Sequence, residues 1–143
     1  MGRAGTSFEA GNQLKIITQL ARHKTDRQRQ AVVLQNGKHA VTRVRVVQEL
    51  SGGAAAVVEC KLETGRTHQI RVHMSYVGHA LIGDQTYSRR RKLAGQHTEQ
   101  VAAFSRQALH AGLLGFKHPL TGHALRFTVP LPPDMQELIT LLT

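Results

Sequence analysis

The spacing of apolar positions changes several times along the chain, and each change marks an element. In Ala40 to Leu50, Val44 and Val46 alternate with Arg43 and Arg45. After Ser51-Gly52-Gly53, the run Ala54 to Leu62 sets Val58, Cys60 and Leu62 against Val57, Glu59 and Lys61. A period of two is that of a half-buried strand, so these runs are read as two strands pairing antiparallel. Upstream, Leu14 to Leu20 is a short apolar run and Ala31 to Leu34 is of strand length, followed by Asn36-Gly37, a pair that turns hairpins. From Ile70 the period lengthens. Ile70, Met74 and Val77 recur at helical spacing and predict a helix from about Thr67 to Val77, capped by Thr64 or Thr67 and stopped by Gly78. Arg66, Gln69 and His73 fall on a different face, expected to point outward, with Arg71 near the seam. Ala108 to Phe116 and Ala124 to Val129 flank a Pro- and Gly-containing turn and predict a second hairpin. Pro132-Pro133 then opens a final helix, Asp134 to Leu142, with Met135, Leu138, Ile139 and Leu142 on one face. The resulting fold class is α+β: a mixed, largely antiparallel sheet, a central helix and a C-terminal helix.

Three segments lack any period. Met1 to Asn12 is rich in Gly, Ala, Ser and Thr, so residues 1–13 are read as a flexible leader and 14–143 as the folded unit. Arg22 to Arg29 is a basic loop. Ser88-Arg89-Arg90-Arg91-Lys92 and the polar residues up to Glu99 are expected to form a solvated loop that orders on RNA or DNA. These charges are part of a wider imbalance: 19 Lys+Arg against nine Asp+Glu give a formal charge of +10. Such a surface repels itself unless polyanions are near, which makes nucleic acid the leading partner. Aromatic residues are 4% of the chain, with no Trp, so recognition by phosphate and shape fits better than a base-stacking platform. At 143 residues the chain is long enough for one domain that buries roughly 68–70% of its unfolded surface.

The remaining chemistry is mostly negative. Cys60, the single cysteine, cannot form an internal disulfide, which points to a reduced, cytoplasmic setting. No apolar run approaches the roughly 18 residues that span a bilayer, so no membrane partner is expected. His68 and His73 are five residues apart, off the helical i, i+4 spacing of a metal pair, and His110, His118 and His123 fall on strands and turns without cysteine or carboxylate companions; no metal is expected. Tyr76 and Tyr87 are read as packing residues. The segment from Leu62 to His73 is the exception. It sets arginines at a helix start, where the macrodipole favours anions, so those cations call for a phosphate or a carboxylate from elsewhere.

The block LETGRTHQIRVHM (62–74), followed by GHALIGDQTYS (78–88), RQALHAGLLGFKHPLTG (106–122) and FTVPLPPDMQELI (127–139), resembles the C-terminal half of RluA-type pseudouridine synthases. The segments ARHKTDRQRQAV (21–32) and NGKHAVTRVRVV (36–47) extend the likeness, which covers about Ala21 to Leu142 in family order. The resemblance implies conversion of uridine in ribosomal or transfer RNA to pseudouridine, without a cofactor or metal. It also implies an essential aspartate in an upstream H-R-L-D-x-x-[TS]-S-G block and a tyrosine from another upstream motif. Neither block occurs in these 143 residues, and Asp26, Asp84 and Asp134 do not match the nucleophile.

By the same resemblance, Arg71 is the basic residue that pairs with the catalytic carboxylate, and without that carboxylate it is expected to be unpaired. Ile70 would wall the base pocket, with simple core packing as the equal alternative. Arg66, His68, Gln69, Arg89, Arg90, Arg91 and Lys92 would contact RNA. The expectation is an RNA pseudouridine synthase that is incomplete and inactive alone, missing an N-terminal half or self-associating. The alternatives are a non-catalytic RNA-binding remnant and an unstable fragment of a split gene.

Overall fold

The computed structural model describes residues 10–88 and 98–143. Four strands, β1 (Gln13–Arg22), β2 (Gln30–Val33), β3 (Lys38–Leu50) and β4 (Ala55–Leu62), form one sheet in the order β2-β1-β3-β4. Each neighbouring pair is antiparallel. The register follows from the alternation: Val44 sits opposite Cys60 and Leu14, and Val46 opposite Val58, which keeps the arginines Arg43 and Arg45 on the other face. There Arg43 pairs with Glu63 and Arg45 with Glu59. Between Val46 and Gln48 the β3–β4 register shifts, the signature of a bulge. β1 begins at Gln13, the last residue assigned to the leader, while residues 1–9 lie outside the described part.

Helix α1 (Gln69–Tyr76) packs on this sheet. Val72 joins Leu20, Ala40 and Tyr87; Met74 joins Ile16 and Val44, with Ile70 and Val77 against them. A short helix α2 (Thr98–Ala102) precedes a separate hairpin, β5 (Leu113–Lys117) with β6 (Ala124–Thr128), and α3 (Pro133–Leu142) closes the fold. Leu138 and Leu142 of α3 bury against Leu50 at the end of β3. Pro133 takes the first helical position, where its missing N–H leaves no bond unmade.

Several expectations need correction. All strand pairs among the described residues are antiparallel, with no parallel component, and the second hairpin forms its own sheet. That hairpin starts at Leu113 rather than Ala108, because the Ala108 N–H is already donated to the Ile82 carbonyl. α1 starts at Gln69, after His68 in a left-handed conformation (φ 54°), and neither threonine caps it. Thr64 is occupied elsewhere: its Oγ1 accepts from the Val41 N–H at 2.9 Å and donates to Gln69 Oε1 at 2.7 Å.

The outward polar face of the helix is also corrected. Gln69 is 3% and His73 0% exposed. Hydroxyls on the sheet make this burial possible. His73 Nε2 lies 2.7 Å from Thr18 Oγ1 and its Nδ1 2.7 Å from Thr42 Oγ1. The Gln69 amide donates to Val41 O and Thr42 Oγ1, and its carbonyl oxygen accepts from the Arg66 N–H. Buried polar groups are tolerated when each finds a partner, and here the partners come from three elements at once. Burial pushes the His73 imidazole below its ordinary range, so the neutral ring is the form that fits.

Candidate active site

Arg71 points from α1 into the turn that follows it. Its Nε donates to Asp84 Oδ2 at 2.8 Å and its Nη2 to Asp84 Oδ1 at 3.0 Å, a two-pronged ion pair. The Asp84 side chain is 0% exposed and that of Arg71 14%, so the pair is shielded from water. Asp84 Oδ1 also accepts from the N–H groups of Thr86 and Tyr87, at 3.0 and 3.1 Å. An aspartate that bonds the backbone two and three residues on is a local turn former, and this one carries an arginine as well. Burial pushes the Asp84 carboxyl up, but the hydrogen bonds from Arg71, Tyr87 and Thr86 outweigh it and hold the group below the usual carboxylate range. The bond to Asp84 raises Arg71 in turn. The expectation that Arg71 is unpaired within this chain is therefore wrong: its partner lies thirteen residues on.

Gly83 sets the position of that aspartate. Its φ is +78°, and a Cβ there would stand 2.0 Å from the Arg106 carbonyl oxygen, so no other residue fits. Arg106 itself is drawn to α3 by a two-pronged pair with Asp134, exposed to solvent.

Tyr87 is the hub of the cluster. The guanidinium carbons of Arg71 and Arg29 lie 5.0 and 5.3 Å from its ring centroid, both at cation–π distance. Its hydroxyl accepts from the Gln30 N–H at 2.9 Å and shares a hydrogen bond with His68 Nδ1 at 2.8 Å. The His68 ring meets it edge-on. Burial, followed by the charge of Arg71, lowers the His68 pKa against the opposing pull of Asp84. Tyr87 is buried, as a packing residue should be, yet its hydroxyl ties α1 to the start of β2.

Beside this cluster opens a cleft of about 610 Å³, lined by Asp26, Gln28, Arg29, His68, Gln85 and Thr86. Its outer wall is the loop between β1 and β2. That loop is well tied: His23 Nδ1 accepts from the Asp26 N–H at 3.0 Å, Asp26 Oδ1 accepts from Gln28, and the His23 N–H donates to the Arg29 carbonyl.

Of the residues singled out from sequence, Arg71 and His68 come together here. Ile70 packs with the core group of Ile16, Val44 and Met74, the second of its two expected places, and is not among the residues lining the cleft. Arg66 is exposed and donates to the His39 carbonyl at 3.0 Å. Gln69 is not free to contact RNA, since its amide is used up inside the fold. Arg89, Arg90, Arg91 and Lys92 lie outside the described residues. Sequence reasoning missed Arg29 and Asp84 as members of the site. The signal for Asp84 was present, because Gly-Asp followed by Tyr three residues on is the spacing of a self-capped turn. Cys60 stays apart: burial and the neighbouring Glu59 push its thiol up to about 11, out of reactive range.

The family described as RNA pseudouridylate synthase matches residues 6–76. A ribosomal large subunit pseudouridine synthase D of Zymomonas mobilis is 49% identical over 124 residues, covering 86% of this chain and 38% of its own length. An uncharacterized RNA pseudouridine synthase, YlyB, of Bacillus subtilis is 48% identical over 120 residues, covering 84% of this chain and 36% of its own length. Among solved structures, the human RNA pseudouridylate synthase domain containing 1 superposes with a TM-score of 0.65 at 24% identity, over 93% of this chain and 62% of that one, a likeness of fold. The chain thus spans well under half the length of these curated relatives. With the ordered motifs from Leu62 onward and a fold shared with that human domain, this chain belongs to the RNA pseudouridylate synthase family.

Proposed function

We propose that the chain supplies the arginine-bearing part of a uridine-isomerising site in ribosomal or transfer RNA, and that the nucleophilic aspartate comes from polypeptide outside these 143 residues. The observation that carries this reading is the set of Arg71. Asp84 occupies Nε and Nη2, while Nη1 has no hydrogen-bond partner among the described residues. A guanidinium offers five N–H donors in a fixed plane, so one carboxylate can orient it while its remaining edge receives a second. The second carboxylate, held beside a cation that never titrates near neutral pH, stays ionised and aimed at the target nucleotide.

The reaction needs such a group. The C1′–N1 bond of uridine breaks, the base turns, C1′ bonds to C5, the C5 proton leaves to solvent and N1 takes up a proton in its place. In this reading Arg71 binds and orients the carboxylate and makes no bond to the base. The target uridine must leave its stack, at a cost of a few kcal/mol, and contacts from Arg66, His68 and the 89–92 run offset that loss. The chain alone is then inactive and binds RNA, in a cytoplasmic setting suited to its lone thiol. No helix of the described residues is long and apolar enough to cross a membrane.

The test is nucleoside analysis of RNA incubated with the chain alone and with a partner polypeptide carrying the H-R-L-D block. Pseudouridine in the mixed reaction only, lost with Arg71→Ala, supports the proposal. Pseudouridine formed by the unaided chain refutes the requirement for an outside aspartate. RNA affinity that changes less than about threefold between 50 and 200 mM salt argues against RNA as the partner.

A further inference from the structure

We propose that the cleft between the β1–β2 loop and the 84–87 turn holds a phosphodiester of the RNA strand, with Arg29 as the residue that grips it. The proposal rests on RNA being the substrate class and names where the strand passes the site.

Two guanidiniums, Arg29 and Arg71, stand against the Tyr87 ring, so they are within about 10 Å of each other. The buried carboxylate serves only one of them. Asp84 accepts from Arg71 twice and from two backbone N–H groups, and none of its bonds goes to Arg29. Arg29 is in none of the ion pairs among the described residues. Its Nε is moreover the one buried side-chain nitrogen or oxygen among them that lacks a hydrogen-bond partner. A buried donor without an acceptor is destabilising, and more so on a charged group. The empty-handed guanidinium lies in the wall of the cleft.

The rest of the lining decides the ligand. Gln28, Gln85 and Thr86 are neutral donors and acceptors suited to ribose hydroxyls, and His68, kept neutral, has Nδ1 engaged with Tyr87. The one carboxylate in the lining, Asp26, is exposed and accepts from its own loop at Gln28 through Oδ1, which limits its opposition to an anion. An arginine fork matches a phosphate's paired oxygens, and the +10 chain draws a polyanion toward it. A strand anchored at Arg29 would thereby be held within about 10 Å of Arg71, across the Tyr87 ring.

The test uses the intact 143-residue chain and a fluorescein-labelled uridine-containing oligoribonucleotide. Arg29→Ala is expected to weaken binding by about tenfold and lower the salt slope by about one, whereas Arg126→Ala, an exposed cation on β6 away from the cleft, changes affinity less than about threefold. Arg29→Lys keeps the charge and loses the fork, so it should recover only part of the affinity. Because Arg29→Ala could disturb the Tyr87 cluster, the wild-type Arg29 Nε–Hε signal is followed by NMR as a second readout. It should shift as the oligoribonucleotide saturates at micromolar concentration, while inorganic phosphate shifts it only at far higher concentration. Equal losses for Arg29→Ala and Arg126→Ala, or an unmoved Arg29 signal under saturating RNA, overturn the subsite and leave RNA binding standing. An equal response to free phosphate at micromolar concentration makes the cleft a small-anion site and overturns it too. Failure of the wild-type chain to bind RNA removes this inference and the proposed function together.

Discussion

Replacing Asp84 by Asn should unfold much of this protein's margin of stability. The carboxylate accepts four N–H bonds and is wholly buried, and its partner Arg71 is 14% exposed. Asparagine keeps one acceptor oxygen for the Thr86 and Tyr87 N–H groups, but turns an NH₂ toward the Arg71 nitrogens, donor against donor. The guanidinium then remains shielded without a counterion. Breaking one side of a buried pair in this way costs about 3–5 kcal/mol, against a total stability of about 5–15 kcal/mol for a domain. In urea, with a slope of about 1–3 kcal/mol per M, the midpoint should fall by roughly 2 M without a change in slope. A double substitution with Arg71→Met should be less damaging than the sum of the two single changes, because they share one interaction. A midpoint within about 0.5 M of wild type for Asp84→Asn would refute the pair as a structural clamp.

Other outcomes follow from the same geometry. The folded-state pKa of His73 lies below its unfolded value, so its contribution is present above about pH 6.5 and is lost as pH falls through the folded pKa; unfolding free energy should drop between pH 7.5 and 5.5. His68 adds in the same sense, and His73→Gln should flatten the slope in part; stability that rises on acidification would contradict the assignment. Gly83→Ala meets the Arg106 carbonyl and a positive φ together and should cost at least about 2 kcal/mol by denaturant titration, while Gly52→Ala, with open space around it, should cost about 1 kcal/mol. With a thiol pKa of about 11, Cys60 should be alkylated by iodoacetamide at pH 8 roughly a hundredfold more slowly than an ordinary thiol until the chain is unfolded.

What the sequence made legible was whatever repeats along one element. The alternation around Val44 and Val46 set both the β3–β4 pairing and the face carrying Arg43 and Arg45. The helical spacing of Ile70, Met74 and Val77 named the core side of α1. Contacts between elements were not legible. Gln69 and His73 look like surface residues until Thr18, Thr42 and Val41, from strands far off in sequence, supply their hydrogen bonds. A periodicity argument assigns polar side chains to solvent because it cannot see such partners. The same holds for the site. Arg71 stood out through its motif, but its bond to Asp84 depends on the Gly83 turn, and the approach of Arg29 to Tyr87 joins positions 58 residues apart. The exposed Leu113, Leu114 and Phe127 of the second hairpin have no explanation in their own pattern either.

The central claim is that Arg71, fixed by Asp84, presents a free edge to a carboxylate from outside these residues. Tritium release from RNA labelled at C5 of uridine measures it directly, since that hydrogen leaves when C1′ bonds to C5. The account predicts no release with this chain alone, release when the polypeptide bearing the H-R-L-D block is added, and loss of that release with Arg71→Ala. Release by the unaided chain, or release that Arg71→Ala leaves unchanged, would contradict it.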